Sequence, residues 1–131
     1  MTGMRVLIVD DEPDALDVLR RQLAACGAKV FPAPDAEIAL RILGEAHPHV
    51  LVSDIGMPDR DGLWLIAQIR LREVTAGSHL PAVALTAFAR PEDRARALEA
   101  GYEHHLAKPA DAAQLVMLVA ALAGPQLSGS R

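Results

Sequence analysis

The sequence has few of the features that mark several large classes of protein. Cys26 is the only cysteine among 131 residues, which excludes an intrachain disulfide. No apolar run reaches the roughly 18 residues of a membrane span. The net charge is −4 and no basic run occurs, which argues against nucleic-acid binding by this chain. The N-terminus enters a strand pattern without a signal-peptide pattern, so we expect a cytoplasmic domain that makes no membrane contact.

What the sequence does have is enough apolar material for one ordered domain. Hydrophobic residues make up 51% of it, and strand and helix patterns alternate five times. That alternation is typical of a parallel sheet covered on both faces by helices, so we predict an α/β fold. The predicted strands are residues 5–9, 29–31, 50–53, 81–85 and 104–107. The last predicted helix ends near Gly124, which gives a domain over residues 1–125 and a disordered tail over residues 126–131.

Polar side chains follow four of the predicted strands. Asp10 and Asp11 come directly after the first strand, and Asp54 comes after the third. Thr86 follows the fourth strand, and Lys108 follows the fifth. The carboxyl ends of parallel strands share one edge of the sheet, where open α/β sheets bind ligands. We therefore expect these five side chains to lie close together.

The three carboxylates have the chemistry of a metal site. Mg²⁺ takes oxygen ligands and combines one or two carboxylates with phosphate oxygens and water. Asp10, Asp11 and Asp54 are therefore predicted metal ligands, and the backbone carbonyl of Gly56 is a further candidate. We expect Mn²⁺ to substitute for Mg²⁺.

The same side chains also suit transfer of a phosphoryl group. A carboxylate can attack phosphorus and form an acyl phosphate, provided that a cation offsets the repulsion between anions. Lys108 would pair with one phosphoryl oxygen as a point charge. Thr86 would donate a hydrogen bond to another. Taken singly, Asp10 and Asp11 also fit a solvated helix cap, Asp54 a turn residue and Lys108 a surface lysine.

Four segments together resemble the receiver domain of bacterial two-component response regulators. They are Val9-Asp10-Asp11-Glu12-Pro13, Ser53-Asp54-Ile55-Gly56-Met57-Pro58-Asp59-Arg60-Asp61-Gly62, Ala84-Leu85-Thr86-Ala87 and Ala107-Lys108-Pro109. The resemblance covers about residues 5–122. It implies a flavodoxin-like, doubly wound fold with five parallel strands in the order 2-1-3-4-5.

The resemblance also implies a role for each site residue. Asp54 would accept a phosphoryl group from the phosphohistidine of a histidine kinase or a histidine phosphotransfer protein. Asp10 and Asp11 would hold Mg²⁺, Lys108 would contact the phosphoryl group, and Thr86 would be the switch hydroxyl. The Lys108–Pro109 peptide bond would be cis, an isomer that proline makes accessible. Such a domain catalyses its own phosphotransfer and autodephosphorylation but is not a turnover enzyme.

The sequence departs from the family at a position that carries the conformational signal. Family members usually have Tyr or Phe three residues before the lysine, and this chain has His105. We expect His105 either to act as a switch that protonation influences near neutral pH or to be a half-exposed histidine without a switching role. Gly56 and Phe88 occupy places that influence how water reaches the phosphoaspartate, and we expect them to give little help to hydrolysis.

Two other functions remain open from the sequence. A haloacid-dehalogenase-like phosphatase would carry Asp-x-Asp after the first strand, where this chain has Asp10-Asp11-Glu12. A receiver-like module that binds a partner without phosphorylation would not need the five polar residues that are present here.

The last predicted helix is apolar on more than one face, which often marks an interface. We expect a homodimer or partner contact through Val116, Met117 and Ala120. Two segments look similar to receivers attached to hybrid sensor kinases, Gly3-Met4-Arg5-Val6-Leu7 and His104-His105-Leu106-Ala107-Lys108-Pro109-Ala110-Asp111. We therefore expect a receiver of that kind, and a stand-alone receiver that acts through protein contacts is the alternative.

Overall fold

The computed structural model describes residues 3–57, 61–87 and 90–129, and the side chains of residues 125–129 are outside that description. Five strands alternate with five helices, as the sequence predicts. The elements are β1 (Arg5–Val9), α1 (Pro13–Ala24), β2 (Lys29–Ala33), α2 (Ala36–Ala46), β3 (Val50–Asp54), α3 (Gly62–Ala76), β4 (Ala82–Thr86), α4 (Pro91–Ala100), β5 (His104–Ala107) and α5 (Ala112–Gly129).

The strands form one parallel sheet in the order β2-β1-β3-β4-β5. This order confirms the predicted flavodoxin-like arrangement, in which the chain runs outward from β1 in both directions. The register pairs Val9 with Ser53 and Asp54 with Leu85. The ends of β1, β3 and β4 therefore lie side by side at the carboxyl edge of the sheet.

Alternation along the strands divides the core into two layers. Val6 and Ile8 of β1 face the layer that contains buried residues of α1 and α5. Leu7 and Val9 face the layer that contains buried residues of α2, α3 and α4. The central strands β3 and β4 are buried along their whole length, as a parallel strand covered on both faces should be.

Local sequence signals fix where most helices begin. The side chain of Asp35 accepts a hydrogen bond from Ile38 N at the start of α2, and Asp61 accepts one from Trp64 N at the start of α3. These are N-caps, which satisfy backbone donors that the first helical turn leaves unpaired. The cap at Asp61 matters for function because α3 begins beside the end of β3.

Some boundaries differ from the sequence prediction. β2 continues to Ala33 and α3 to Ala76, both longer than predicted. The predicted stop at Gly124-Pro125 is wrong, because α5 continues to Gly129. Proline in a helix interior removes one backbone donor and crowds the carbonyl four residues earlier, yet α5 continues past Pro125. Residues 126–129 belong to this helix, and residues 130–131 lie outside the described part. The domain boundary at residue 125 and the disordered tail over residues 126–131 stay predictions.

No helix in the described residues combines the length and the apolar character that crossing a membrane requires.

Candidate functional site

Three carboxylates meet at the carboxyl edge of the sheet. Asp10 and Asp11 follow β1, and Asp54 ends β3. One oxygen from each of the three lies within 4.8 Å of the others. Asp10 and Asp54 are buried, whereas Asp11 is exposed. The structure thus brings together the three acidic residues that the sequence predicts, with one of them open to solvent.

Lys108 reaches into this cluster from the end of β5. Its Nζ lies 2.6 Å from Asp10 Oδ2 and 3.4 Å from Asp54 Oδ2. The peptide bond to Pro109 is cis, the isomer that the resemblance implied. Burial by itself opposes the charge of Lys108, but the hydrogen bond to Asp10 and the charge of Asp54 outweigh it and raise the pKa of the ammonium. Lys108 is therefore a permanent cation that partly balances the carboxylates.

Both carboxylate oxygens of Asp54 have partners within the site. Its Oδ1 accepts a hydrogen bond of 3.1 Å from Gly56 N, and its Oδ2 faces Lys108. Burial raises the pKa of Asp54 and the charge of Asp10 adds to that effect, while Gly56 and Lys108 oppose it. The ionised carboxylate is thus less stable here than in water, so an added cation is favoured.

The donor set fits Mg²⁺. The three acidic side chains offer only oxygen ligands, and one ammonium is present to balance them. Hard oxygen donors with one ligand open to solvent suit an ion that keeps several of its waters. Asp10, Asp11 and Asp54 are the side chains that would hold it. The predicted contribution of the Gly56 carbonyl stays a prediction.

Thr86 lies where the sequence predicts it, at the end of β4. It is buried, and its backbone carbonyl accepts a hydrogen bond of 2.7 Å from Lys108 N. This bond joins the end of β4 to the start of the segment that carries Lys108. The threonine and the lysine are therefore placed together by adjacent strands.

His105 lies on β5, paired in register with Ala84, and is half-buried. Its Nε2 is buried without a hydrogen-bond partner among the described residues. Burial lowers the pKa of His105 and nearby Arg94 lowers it further, against the opposing charge of Asp93. The expected influence of protonation is therefore displaced from neutral toward acidic pH. Phe88 lies outside the described residues, so its predicted effect on hydrolysis is untested.

Two residues near Asp54, Gly62 and Tyr102, were not among the predicted site residues. The hydroxyl of Tyr102 donates a hydrogen bond of 2.7 Å to the carbonyl of Gly62, the first residue of α3. Tyr102 is a neighbour of His105 in sequence but occupies the core instead. No local sequence pattern points to it, because its ring packs among small residues of other elements, including Ala82 and Ala84 of β4 and Ala97 of α4.

Comparison with known proteins places this arrangement in a family. Residues 6–120 match the family model described as the response regulator receiver domain. A Leptolyngbya boryana protein, described as an uncharacterized 14.6 kDa protein in the sodA1 3′ region, is 49% identical over 119 residues. That match covers 91% of this chain and 89% of the relative.

Other relatives are longer than this chain. The sensor histidine kinase RcsC of Escherichia coli is 37% identical over 106 residues, which are 81% of this chain but 11% of the kinase. The chain spans about half of three further curated relatives, 51% of each.

A solved structure of similar fold is the receiver domain of Ssk1 in complex with the histidine phosphotransfer protein Ypd1, from Saccharomyces cerevisiae. That match has a TM-score of 0.88 and 26% sequence identity, covering 95% of this chain and 92% of the other. Three observations point to the same family: the match to the family model, the order of the strands and the carboxylates at the strand ends. The chain belongs to the response regulator receiver domains, which are modules of two-component signalling rather than classical enzymes.

Proposed function

We propose that this domain is a phosphoacceptor switch in which Asp54 takes a phosphoryl group from phosphohistidine in an Mg²⁺-dependent reaction. The observation that carries the proposal is the setting of Asp54. It is only 7% exposed, one of its oxygens is fixed by Gly56 N at 3.1 Å, and the other faces the Lys108 ammonium at 3.4 Å. This buried carboxylate is thereby oriented beside a cation and two further carboxylates.

The proposed reaction is a displacement at phosphorus. An oxygen of Asp54 forms a bond to phosphorus while the bond from phosphorus to the imidazole nitrogen breaks. The electron pair of that bond returns to the imidazole, and the product is an acyl phosphate on Asp54. Bound Mg²⁺ would neutralise charge on the phosphoryl oxygens, with Asp10 and Asp11 as its remaining carboxylate ligands.

Lys108 and Thr86 would act on the product. The Lys108 ammonium balances Asp10 in the unphosphorylated protein, and we infer that it turns to a phosphoryl oxygen once Asp54 is modified. The Thr86 hydroxyl would donate to a second oxygen. Formation of these contacts in only one state is what would bias the domain between two conformations.

The proposed donor is a histidine kinase or a histidine phosphotransfer protein. The partner of the similar Ssk1 receiver domain, Ypd1, supports this class. An apolar groove beside Asp10 and Lys108 also supports it, because a partner must approach the site to deliver its phosphoryl group. The groove is lined by Ala15, Val18, Leu19, Gln22, Pro109 and Ala110.

The last helix offers a second surface for a dimer or an output partner. Met117 of α5 is 72% exposed, while Val116 and Ala120 are half-buried beside it. An apolar side chain with that exposure supports the predicted contact, since burial of apolar surface drives association. We expect substitution of Met117 to affect association and to leave phosphorylation of Asp54 unchanged.

Intact mass spectrometry tests the acceptor. The protein is incubated with phosphoramidate, a small donor with a phosphorus–nitrogen bond, and with either Mg²⁺ or EDTA. We expect a mass increase of one phosphoryl group with Mg²⁺, no increase with EDTA and none for Asp54→Asn. Asp14→Asn, which removes an exposed acidic group in the first turn of α1, is the matched control and should react like the wild type.

The contrary result is equally clear. A protein that takes up no phosphoryl group from phosphoramidate or from a phosphorylated histidine phosphotransfer protein would contradict the proposal. It would favour a module that binds its partner without phosphorylation. Sustained turnover of phosphate esters would favour a phosphatase instead.

A further inference from the structure

We propose that Tyr102 is a positioning residue for the phosphoacceptor: its hydroxyl fixes the start of α3 and thereby holds the backbone of Asp54 and of Ile55, which follows it. This inference rests on the proposed function of Asp54. Its support comes from a set of contacts that run from Tyr102 through Gly62 to Asp54, which we call the Tyr102 anchor.

The first contact joins the segment between α4 and β5 to the start of α3. Tyr102 is 3% exposed, and its hydroxyl donates to the Gly62 carbonyl at 2.7 Å across 40 positions of sequence. Burial raises the pKa of the Tyr102 hydroxyl far above its usual value, although the Ser53 side chain opposes part of that effect. The hydroxyl is therefore a permanent donor.

The second contact joins the start of α3 to Asp54. A Cβ atom on Gly62 would lie 2.6 Å from the Asp54 carbonyl oxygen and 2.7 Å from Ile55 Cα. The backbones therefore touch at a distance that only glycine permits. Any shift of Gly62 is transmitted directly to the residue that bears the nucleophile.

The Asp54 carbonyl is also held from within its own strand. The hydroxyl of Ser53 donates to it at 3.0 Å and is fully buried. On the side-chain end, Gly56 N donates to Asp54 Oδ1. Hydrogen bonds thus hold Asp54 at both its carbonyl and its carboxylate. The Tyr102 anchor holds Gly62, which packs against the same carbonyl.

The core around Tyr102 accommodates its ring with small side chains. Ala82 and Ala84 on β4 and Ala97 on α4 are fully buried in the same layer. Tyr102 therefore lies beneath α3 and α4, whereas His105, three positions along, is half-buried. Because the ring is packed, the hydroxyl has a fixed direction, which a positioning residue requires.

Tyr102→Phe tests the inference because it removes the hydroxyl and keeps the ring. We expect the dissociation constant for Mg²⁺, measured by Trp64 fluorescence, to rise about 2- to 12-fold, the factor for one neutral hydrogen bond. The rate of Asp54 phosphorylation at saturating Mg²⁺ should stay within about twofold of the wild type, because the bound ion would then hold the Asp54 carboxylate in the place of the lost anchor.

Amide hydrogen exchange separates positioning from general stability. In Tyr102→Phe, amide exchange at Ile55, Gly56 and Leu65 should accelerate. The amides of β1 should change only by the factor that the change in global stability explains. Thr75→Val is the control, since it removes a hydrogen bond from a side chain to the Arg72 carbonyl at the other end of α3. That variant should change neither Mg²⁺ binding nor exchange near Asp54.

Two results would overturn the inference. One is unchanged Mg²⁺ affinity and unchanged exchange at Ile55 and Gly56 in Tyr102→Phe. The other is acceleration of all amides by the same factor, which marks a purely global effect. Failure of the proposed function gives a different result, in which the wild-type protein binds Mg²⁺ but takes up no phosphoryl group. Amide exchange and Mg²⁺ affinity would still test the role of Tyr102 in that case.

Discussion

Lys108 stands between two carboxylates, so its removal should destabilise the metal-free protein and Mg²⁺ should restore much of the loss. Its Nζ lies 2.6 Å from Asp10 and 3.4 Å from Asp54, with 23% of the side chain exposed. Lys108→Met removes the charge and keeps an unbranched apolar chain. The two carboxylates then repel each other without an intervening cation.

The expected magnitude follows from the distances and the exposure. At an effective dielectric constant of about 20, the two attractions are roughly 6 and 5 kcal/mol before desolvation. Desolvation of three charged groups offsets most of this. Exposed pairs contribute about 0–1 kcal/mol, and breaking a buried pair costs about 3–5 kcal/mol. Lys108 lies between these cases, so we expect a loss of about 2 kcal/mol, or about 6–10 °C in Tm for a domain of this size.

Thermal unfolding in EDTA and in saturating Mg²⁺ measures the effect. We expect Lys108→Met to lose about 2 kcal/mol in EDTA and less than half of that in Mg²⁺, because the bound cation would replace the ammonium as a counter-charge. Lys29→Met is the matched control. Lys29 is exposed and lies 5.6 Å from the centroid of the Phe31 ring, so its loss should cost at most about 1 kcal/mol, with or without the metal.

An equal loss of stability in EDTA and in Mg²⁺ would refute this reasoning, because it would show that Lys108 and the metal do not balance the same charges. A loss no larger than that of Lys29→Met would refute it as well.

Two further predictions concern the backbone and the charge of Asp54. Gly62→Ala should lower the free energy of unfolding by about 1–3 kcal/mol through the clash with the Asp54 carbonyl, whereas Gly44→Ala, in an open part of α2, should raise it by about 0.5–1 kcal/mol. Urea midpoints check both, and similar changes in the two variants would contradict the close approach at Gly62. Because burial raises the pKa of Asp54, protonation of this carboxyl stabilises the folded state. That contribution is fully present below pH 3.8, the ordinary pKa of the group, and is lost as the pH rises through the raised pKa. Asp54→Asn should therefore raise the Tm of metal-free protein at pH 7, with a gain that shrinks as the pH falls toward 4. An Asp54→Asn protein whose Tm at pH 7 is no higher than that of the wild type would contradict this prediction.

Much of the fold could be predicted because its signals are local. Apolar runs such as residues 6–9 and 50–52 predict buried strands, and Asp or Pro residues mark helix starts. The sheet edge then brings Asp10, Asp54 and Lys108 together, since parallel strands place their ends side by side. Strand order followed from the resemblance rather than from any local pattern.

Contacts that span long stretches of sequence could not be predicted in this way. The guanidinium of Arg70 donates to the carbonyls of Leu80 and Gly101 and pairs with Glu73 and Glu103, which ties α3 to the segments before β4 and β5. Arg70 and Glu73 have the i,i+3 spacing that a helix brings together, but nothing in the sequence indicates that Arg70 meets Leu80, Gly101 and Glu103. Their contacts depend on how two helices pack against the sheet.

The same limit applies to the electrostatics of His105 and to the support of Asp54. The direction of the pKa shift of His105 depends on its burial and on Arg94, a residue of another element. The hydrogen bond from Tyr102 to Gly62 depends on an aromatic ring that fits among small residues of β4 and α4. Both are properties of packed side chains and become visible only in three dimensions.

The central claim is that Asp54 is the residue that accepts the phosphoryl group, and the most direct measurement is to locate the modified residue. Protein phosphorylated with Mg²⁺ is reduced with borohydride, which converts an aspartyl phosphate into homoserine with loss of phosphate, and its peptides are then sequenced by mass spectrometry. We predict homoserine at position 54 and unmodified aspartate at positions 10 and 11. Conversion at either of those positions, or none at position 54 in protein that has taken up phosphate, would contradict the account.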